Sequence, residues 1–310
     1  MIRRLTYSIT QKESGMTVQD FLKSRGYSHR MIVRLREKDG IQVDGRHAIT
    51  PQRLSAGETL QICLKEEESS EKIAPFPLPF PVVYEDEDLL VINKPAGMPI
   101  HPSQGNHDNT LANAAAWYFS RKNEPFTFRV INRLDRDTTG LLILARHSLS
   151  AGILSQMAAC HEIRREYLAI ASGLVPERCT IDAPIGRFPG SAIMRQVDYA
   201  AGEKAVTRCR RLLYRPDLDY SLVSLRLETG RTHQIRVHMS HIGHPLPGDF
   251  LYCPDFRRMK RQALHSRRLC FSHPITGRKL SFTAPLPKDM QWILPAIRKF
   301  WRISLICPVL

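Results

Sequence analysis

Two short segments of this chain concentrate side chains that can attack a carbon centre, hold an anion or pass a proton. The first is Asn132, Arg133, Leu134, Asp135, Arg136, Asp137, Thr138, Thr139 and Gly140: two guanidinium groups, two carboxylates and two hydroxyls in nine residues, between two apolar runs. Such a loop is costly to keep near a core unless its charges have partners or work to do. Asp135, flanked by Arg133 and Arg136, is expected to stay ionised, the form a carboxylate nucleophile needs. Side-chain hydrogen bonds that merely close a strand-connecting turn are the alternative for the same residues. The second segment runs from Leu227 through Glu228, Thr229, Gly230, Arg231, Thr232, His233, Gln234, Ile235 and Arg236 to His238. A glycine turn feeding a helix start beside arginines suits phosphate or carboxylate contacts. Helical spacing puts His233, Arg236 and Ser240 on one face and Ile235, Met239 and Ile242 on another, so Arg236 is expected to point away from the core stripe, towards a carboxylate. His238, His241 and His244 recur every third residue, but no Cys or His-Glu-x-x-His pattern accompanies them, and no metal site is expected.

Alternating strands and helices must position these segments. Leu89 to Ile92 reads as an apolar strand closed by the turn Asn93 to Gly97, and Phe126 to Ile131 and Leu141 to Ala145 read as strands flanking the Asp135 loop. Ser148 is placed to cap a helix whose Ile153, Leu154, Met157 and Ala158 face inward. Tyr167 to Ala171 is a further strand, and Val223, Leu225 and Leu227 alternate with polar residues before Gly230. The order argues an α+β fold with largely antiparallel pairing. Ahead of this region, Thr17 to Arg25 and Ser28 to Lys38 each show one apolar helical face, and Ile41 and Val43 precede the tight-turn pair Asp44 and Gly45. Arg25, Arg30, Arg34 and Arg36 give this front unit a basic face. Glu66 to Glu71 and the prolines at 75, 77, 79 and 81 read as a linker. The expected organisation is therefore 1–65, a linker 66–81, a main domain 82–290, and a tail 291–310 that reads as a packed terminal helix with a frayed end.

Composition narrows the partners. Across 310 residues, 45 Lys plus Arg face 30 Asp plus Glu, a formal charge of +15 that favours a polyanion, nucleic acid before an acidic membrane surface. Neither a secretory signal nor a bilayer-spanning apolar stretch is expected. Seven scattered cysteines read as reduced thiols in a cytoplasm.

With these residues in view, the chain resembles the RluA family of pseudouridine synthases from about Phe80 to Asp289. The blocks Val91 to Met98, Asn132 to Gly140, Arg165 to Gly173 and Leu225 to Asp249 recur in order, followed by Ala263 to Pro287. Residues 16 to 64 resemble a ribosomal-S4-like RNA-binding domain. The resemblance implies a pseudouridine synthase fold, with a central mixed, largely antiparallel sheet flanked by helices, behind a small S4-like αL domain. It implies that Asp135 is the catalytic nucleophile, that Arg133 fills the space of an extruded nucleotide, that Tyr167 stacks on the target base, and that Arg236 pairs with the aspartate. Arg136, Arg231 and His233 join Arg133 and the front arginines as candidate RNA contacts. Asn132 departs from the family, whose usual residue there is histidine. Isomerising uridine needs no electrons, phosphate or group donor, so no cofactor is expected. The expected partner is RNA, ribosomal RNA of the large subunit ahead of transfer RNA, bound by a monomer. A nucleic-acid glycosylase and an inactive RNA-binding protein are the rival readings.

Overall fold

The computed structural model describes residues 1–67, 69–70 and 73–295. Chain contacts divide it into two compact units, one of Met1–Arg164 with Arg268–Thr283, the other of Arg165–Arg267 with the chain from Ala284. This grouping cuts across the sequence boundaries at 65 and 81.

In the first unit, strand β1 (Ile2–Ser8) is followed by helices α1 (Val18–Ser24) and α2 (His29–Glu37), then β2 (Ile41–Val43), β3 (Arg46–His47) and β4 (Thr59–Lys65). The helices start where the sequence places caps: the Thr17 hydroxyl accepts from Asp20 N, and Ser28 accepts from Met31 N. Sequence periodicity shows two helices and a hairpin; the structure adds β1 and β4 and completes a four-stranded sheet in the order β1-β4-β2-β3. Phe21, Leu22, Ile32, Leu60 and Ile62 form its core.

That core is not closed by residues 1–65 alone. Leu149, Ile153 and Ile275 pack into it. Three polar ties reinforce the join. Arg3 donates to both oxygens of Asp88, Glu66 accepts from Arg129 Nη2 and from Ser148 N at 2.8 Å each, and the Met1 amine donates to Glu66 O. Burial pushes the Glu66 carboxyl up, but Arg129 and Ser148 N outweigh it and hold it below the usual range. The segment after Glu66 has no regular structure where it is described, yet it is fastened: Ser70 N donates to Phe126 O, Phe128 N to Ser70 Oγ, and Asn113 Nδ2 to Ala74 O.

The rest of the first unit carries β5 (Val82–Glu85), β6 (Leu89–Lys94), α3 (Leu111–Ser120), β7 (Thr139–Ala145) and α4 (Ser148–Ala159). The pairs β5·β6 and β6·β7 are antiparallel, and every residue of β7 is buried. Phe126 to Ile131 forms no strand; it only bridges Val130 to Leu144, with Ile131 N donating to Ile143 O. The cap of α4 is His147 rather than Ser148: its Nδ1 accepts from Ser150 N while Nε2 lies 2.9 Å from Asp88 Oδ1.

The second unit contains β8 (Arg164–Ser172, its first residue in the other unit), β9 (Arg178–Asp182), β10 (Ile185–Arg187), β11 (Arg195–Val197), β12 (Val206–Arg215), β13 (Tyr220–Leu227) and α5 (Gln234–His241). Strands β8, β13, β12 and β9 lie side by side, antiparallel, and β10 and β11 make a separate hairpin. Strand β14 (Leu264–Ser272) divides between the units at Arg268, and β15 (Lys279–Thr283) pairs with it in the first. Lys288–Ile293 is a short 3₁₀ helix; the rest of the expected terminal helix, from residue 296, lies outside the described residues. Among the described residues no helix is long and apolar enough to cross a membrane.

Candidate active site

The Asp135 loop leaves buried sheet at one end and re-enters it at the other, so its backbone needs fixed anchors. Asn132 is the first. Its buried side chain accepts from Ile143 N at 2.9 Å and faces Leu141 O at 3.4 Å, replacing a backbone partner for β7. Leu134 and Thr138 are buried, and Thr138 N donates to Asp135 O, closing a turn with Asp135 half-buried at its corner. Lys94 is the second anchor: only 1% exposed, its Nζ donates to Pro95 O, Met98 O and Arg136 O at 2.7 to 2.9 Å. One buried ammonium thus joins the turn after β6 to the loop that bears Asp135. In the sequence Lys94 stands only as part of the turn Asn93 to Gly97; its signal is a lysine shortly after an apolar run and just ahead of a proline.

Arg133 and Arg136 are exposed. The Arg136 guanidinium lies against Asp137 Oδ2 at 2.9 to 3.0 Å. Burial, with the Arg133 charge adding to it, pushes the His101 imidazole below its ordinary range. His101, which sequence reasoning missed, sits edge-on to Phe128.

In the second unit, Tyr167 lies in β8 opposite Leu225 and is 4% exposed. Helix α5 begins without a side-chain cap at His233, whose φ is +58°. Gln234 does the work instead. Its Oε1 accepts from Arg231 N and Thr229 Oγ1, and its Nε2 donates to Val206 O and Thr207 Oγ1. The glycine turn is thereby bolted to β12.

Arg236 does not lie on an outward face. All residues from Gln234 to Met239 are buried, because α5 is covered on both sides. Arg236 is 2% and Asp249 0% exposed, and Nε and Nη2 of the arginine bind the two carboxylate oxygens at 2.7 Å each. Asp249 Oδ1 also accepts from Leu251 N and Tyr252 N. The guanidinium stacks near Tyr252 and Phe250, with centroids at 5.1 and 5.7 Å. Gly248 brings the chain to this point with φ +75°, where a Cβ would collide with the carbonyl of Arg261. This two-pronged pair fixes the plane of Arg236. In the sequence Asp249 stands only at the end of the block Leu225 to Asp249.

The histidine series forms no ligand set. His238 is held by Thr207 Oγ1 and Ala183 O, and His244 by Ser172 O. Burial lowers the His238 imidazole. Among the described residues, the three-member group with ligand-type atoms close together is Asp86, Asp88 and His273. His273 Nδ1 accepts from Ile275 N and Thr276 N, so its Nε2 carries a proton and faces Asp86 Oδ2 at 2.9 Å. An N–H cannot ligate a cation; these contacts make a latch. Burial pushes the Asp86 carboxyl up, but donors from His273, Tyr84 and two backbone amides hold it far below the usual range.

A model of the RNA pseudouridylate synthase family matches residues 88–241, which include Asp135, Tyr167 and Arg236. An uncharacterised RNA pseudouridine synthase of Bacillus subtilis (strain 168), YjbO, is 39% identical over 281 residues, 90% of this chain and 98% of the relative. The ribosomal large subunit pseudouridine synthase D of Haemophilus influenzae is 37% identical over 278 residues, 84% of each chain. The chain belongs to the RluA family of RNA pseudouridine synthases. It is therefore an isomerase acting on RNA. Synthase D of Escherichia coli O6:H1 is 34% identical over 312 residues, 95% of the enzyme and 94% of the relative. A solved structure, human RNA pseudouridylate synthase domain containing 1, is similar with TM-score 0.55 at 29% identity, over 71% of the enzyme and 86% of that chain.

The remaining sequence candidates fall in different settings. In the enzyme Arg231 donates to Lys204 O and pairs with Glu203, and His233 Nδ1 lies 3.1 Å from the Tyr252 hydroxyl. Arg25 pairs with Glu13 and sits 5.0 Å over Phe21. Arg30, Arg34 and Arg36 stand exposed on α2.

Proposed function

We propose that the enzyme isomerises uridines of large-subunit ribosomal RNA, with Asp135, Tyr167 and Arg236 acting on one extruded nucleotide. The carrying observation is the likeness to synthase D proteins, which extends through the front residues as well as the chemistry-bearing ones. The reaction breaks the bond from ribose C1′ to uracil N1, turns the base and forms the bond from C1′ to C5; the C5 proton leaves and N1 takes up a proton, so the composition is unchanged. Asp135 supplies the carboxylate, either trapping C1′ until the base displaces it or drawing a proton from the sugar to give a glycal and returning it as the base rejoins. Tyr167 stacks on the base, and Arg236, its plane set by Asp249, pairs with Asp135. Arg133 fills the stack left by the flipped nucleotide, a step that takes a few kcal/mol.

The front residues, an S4-like unit in this reading, supply phosphate contacts through Arg30, Arg34 and Arg36 on α2; the basic composition of residues 1–65, 12 Lys plus Arg against 6 Asp plus Glu, supports that role. Arg136, Arg231, His233 and Arg25 are candidates for further contacts. Pseudouridine mapping of total RNA from cells with and without the gene tests the target. Loss of sites in large-subunit ribosomal RNA is the expected result; loss confined to transfer RNA overturns it.

A further inference from the structure

The chemistry above gives no task to a cysteine, yet two cysteines stand face to face in the second unit. Cys179 in β9 and Cys209 in β12 are directly opposite in the antiparallel ladder, so their side chains leave the same face of the sheet. Their thiols are in hydrogen-bonding contact. On either side of the pair, Arg211 N donates to Glu177 O and Ala183 N to Ala205 O. The two kinds of opposed pair alternate along such a ladder, which makes Cys179 and Cys209 a hydrogen-bonded pair with Cα atoms about 5.5 Å apart. Disulfides span Cα separations of about 4.4–6.8 Å. The two thiols differ in access: Cys209 is 4% exposed, whereas Cys179 is half-buried in β9, the end strand, whose neighbour is β12.

What shares their face gives the pair a consequence. Cys209 is also opposite Leu225, and Leu225 is opposite Tyr167, so Cys179, Cys209, Leu225 and Tyr167 form one row across four strands. In the next row on that face Ile181 is opposite Thr207, whose hydroxyl accepts from Gln234 Nε2 and meets His238 Nδ1. Both belong to α5, which carries Arg236. Opposed Cβ atoms in a ladder stand about 4.5–5.5 Å apart, and a disulfide needs about 3.8 Å, so bonding draws β9 and β12 together by about 1 Å. The pull acts at the end of the row that holds Tyr167 and beside the row that holds α5.

We propose that Cys179 and Cys209 are a reversible oxidation site, closing to a disulfide that turns the isomerase down. The effect on rate rests on the reading of Tyr167 and Arg236 as residues that act on the target nucleotide. Hydrogen peroxide is the oxidant. The accessible Cys179 sulfur attacks one peroxide oxygen, giving Cys179 sulfenic acid and releasing water. Cys209 Sγ then displaces the hydroxyl from Cys179 Sγ, and the Cys209 thiol proton leaves with it as a second water. One S–S bond forms, both sulfurs are oxidised, and the peroxide is reduced to two waters. A bond that pulls strands together is of the readily reduced kind, so a small dithiol reopens it. Displacing Tyr167 and α5 slows the chemistry, while phosphate contacts keep RNA bound.

The test treats the reduced full chain with limiting hydrogen peroxide and maps its cysteine peptides by mass spectrometry. RNA binding and single-turnover pseudouridine formation are measured on unmodified transcripts of large-subunit ribosomal RNA and of transfer RNA. Expected are a peptide linking Cys179 to Cys209, a rate about tenfold lower with affinity within a few-fold, and recovery with dithiothreitol. Cys179→Ser, a change at a half-buried edge position, should match reduced wild type in thermal midpoint and rate, and keep that rate in peroxide. Cys209→Ala should form no link and keep its own rate in peroxide. Folded wild type that forms no link overturns the proposal, as does linked enzyme that turns over like the reduced form. Equal loss of rate in Cys179→Ser and wild type assigns the effect to another side chain and overturns it too. Reduced wild type that converts neither transcript sinks the target reading instead, while the link is still judged by the peptide map.

Discussion

Asp249→Asn perturbs the arrangement most directly. Arg236 and Asp249 are almost wholly out of water and share two parallel hydrogen bonds of 2.7 Å. Removing one partner of such a pair strands a buried charge, at a cost of about 3–5 kcal/mol. Asparagine keeps an acceptor and the shape but loses the negative charge, so it should fall near the lower end of that range, and Asp249→Ala near the upper. Replacing both members by apolar residues of similar volume should be close to neutral. Arg236→Met/Asp249→Leu should therefore recover most of the stability that Asp249→Asn loses, yet remain inactive, because the guanidinium itself is gone. Urea unfolding gives the stabilities, and single-turnover conversion gives the chemistry. In Asp249→Asn the arginine is present but unheld, so turnover should drop at least about tenfold, equivalent to 1.4 kcal/mol of lost transition-state stabilisation. Asp249→Asn unfolding within about 0.5 kcal/mol of wild type, with wild-type turnover, would falsify the claim that Asp249 sets Arg236.

Asp135→Asn should abolish pseudouridine formation while leaving RNA affinity within a few-fold, since phosphate contacts dominate binding; filter binding beside a turnover assay checks it, and near-normal turnover removes Asp135 from its role. Arg236→Lys should keep the charge but lose the planar two-pronged contact, lowering turnover more than affinity; equal rates across pH would reduce Arg236 to a phosphate contact. Lys94→Met leaves three carbonyls without their buried ammonium, and the enzyme should lose about 3 kcal/mol in urea unfolding and part of its turnover through the displaced Asp135 loop. Burial pushes the His265 imidazole down to about 4, whereas the unfolded chain titrates near 6.5. Between those values the unfolded state binds a proton that the folded state refuses, so stability falls as pH drops, by about 2 kcal/mol from pH 8 to pH 5. His265→Gln should flatten that dependence, and an unaltered slope would assign it elsewhere. The depressed Asp86 and Asp88 carboxyls contribute stability present above the unfolded carboxylate range, lost only below it.

The sequence by itself determined the local chemistry and most local structure. Thr17 and Ser28 cap their helices through their own hydroxyls, and alternation located β13; both signals are carried by neighbouring residues. The candidates Asp135 and Arg236 are legible because each sits in a dense run of unusual composition, whereas Tyr167 reads only as a strand residue and becomes a candidate through the family resemblance. Tertiary structure decided what depends on distant partners. Arg236 was expected on an outward helical face, but a period of 3.6 residues cannot register a second layer, and α5 is covered on both sides, with Asp249 thirteen residues on. The strand expected at Phe126 to Ile131 has apolar residues yet finds only one bridge. The front unit read as a tethered module, while Leu149 and Ile153 from α4 complete its core, a burial that no pattern within residues 1–65 records. Cys179 and Cys209, thirty residues apart, face each other across β9 and β12 as free thiols, and burial beside Cys179 pushes the Cys209 thiol up to about 12. Propensity, capping and periodicity act within a few residues along the chain; pair identity, burial and charge compensation are set by whatever the fold brings within about 3 Å.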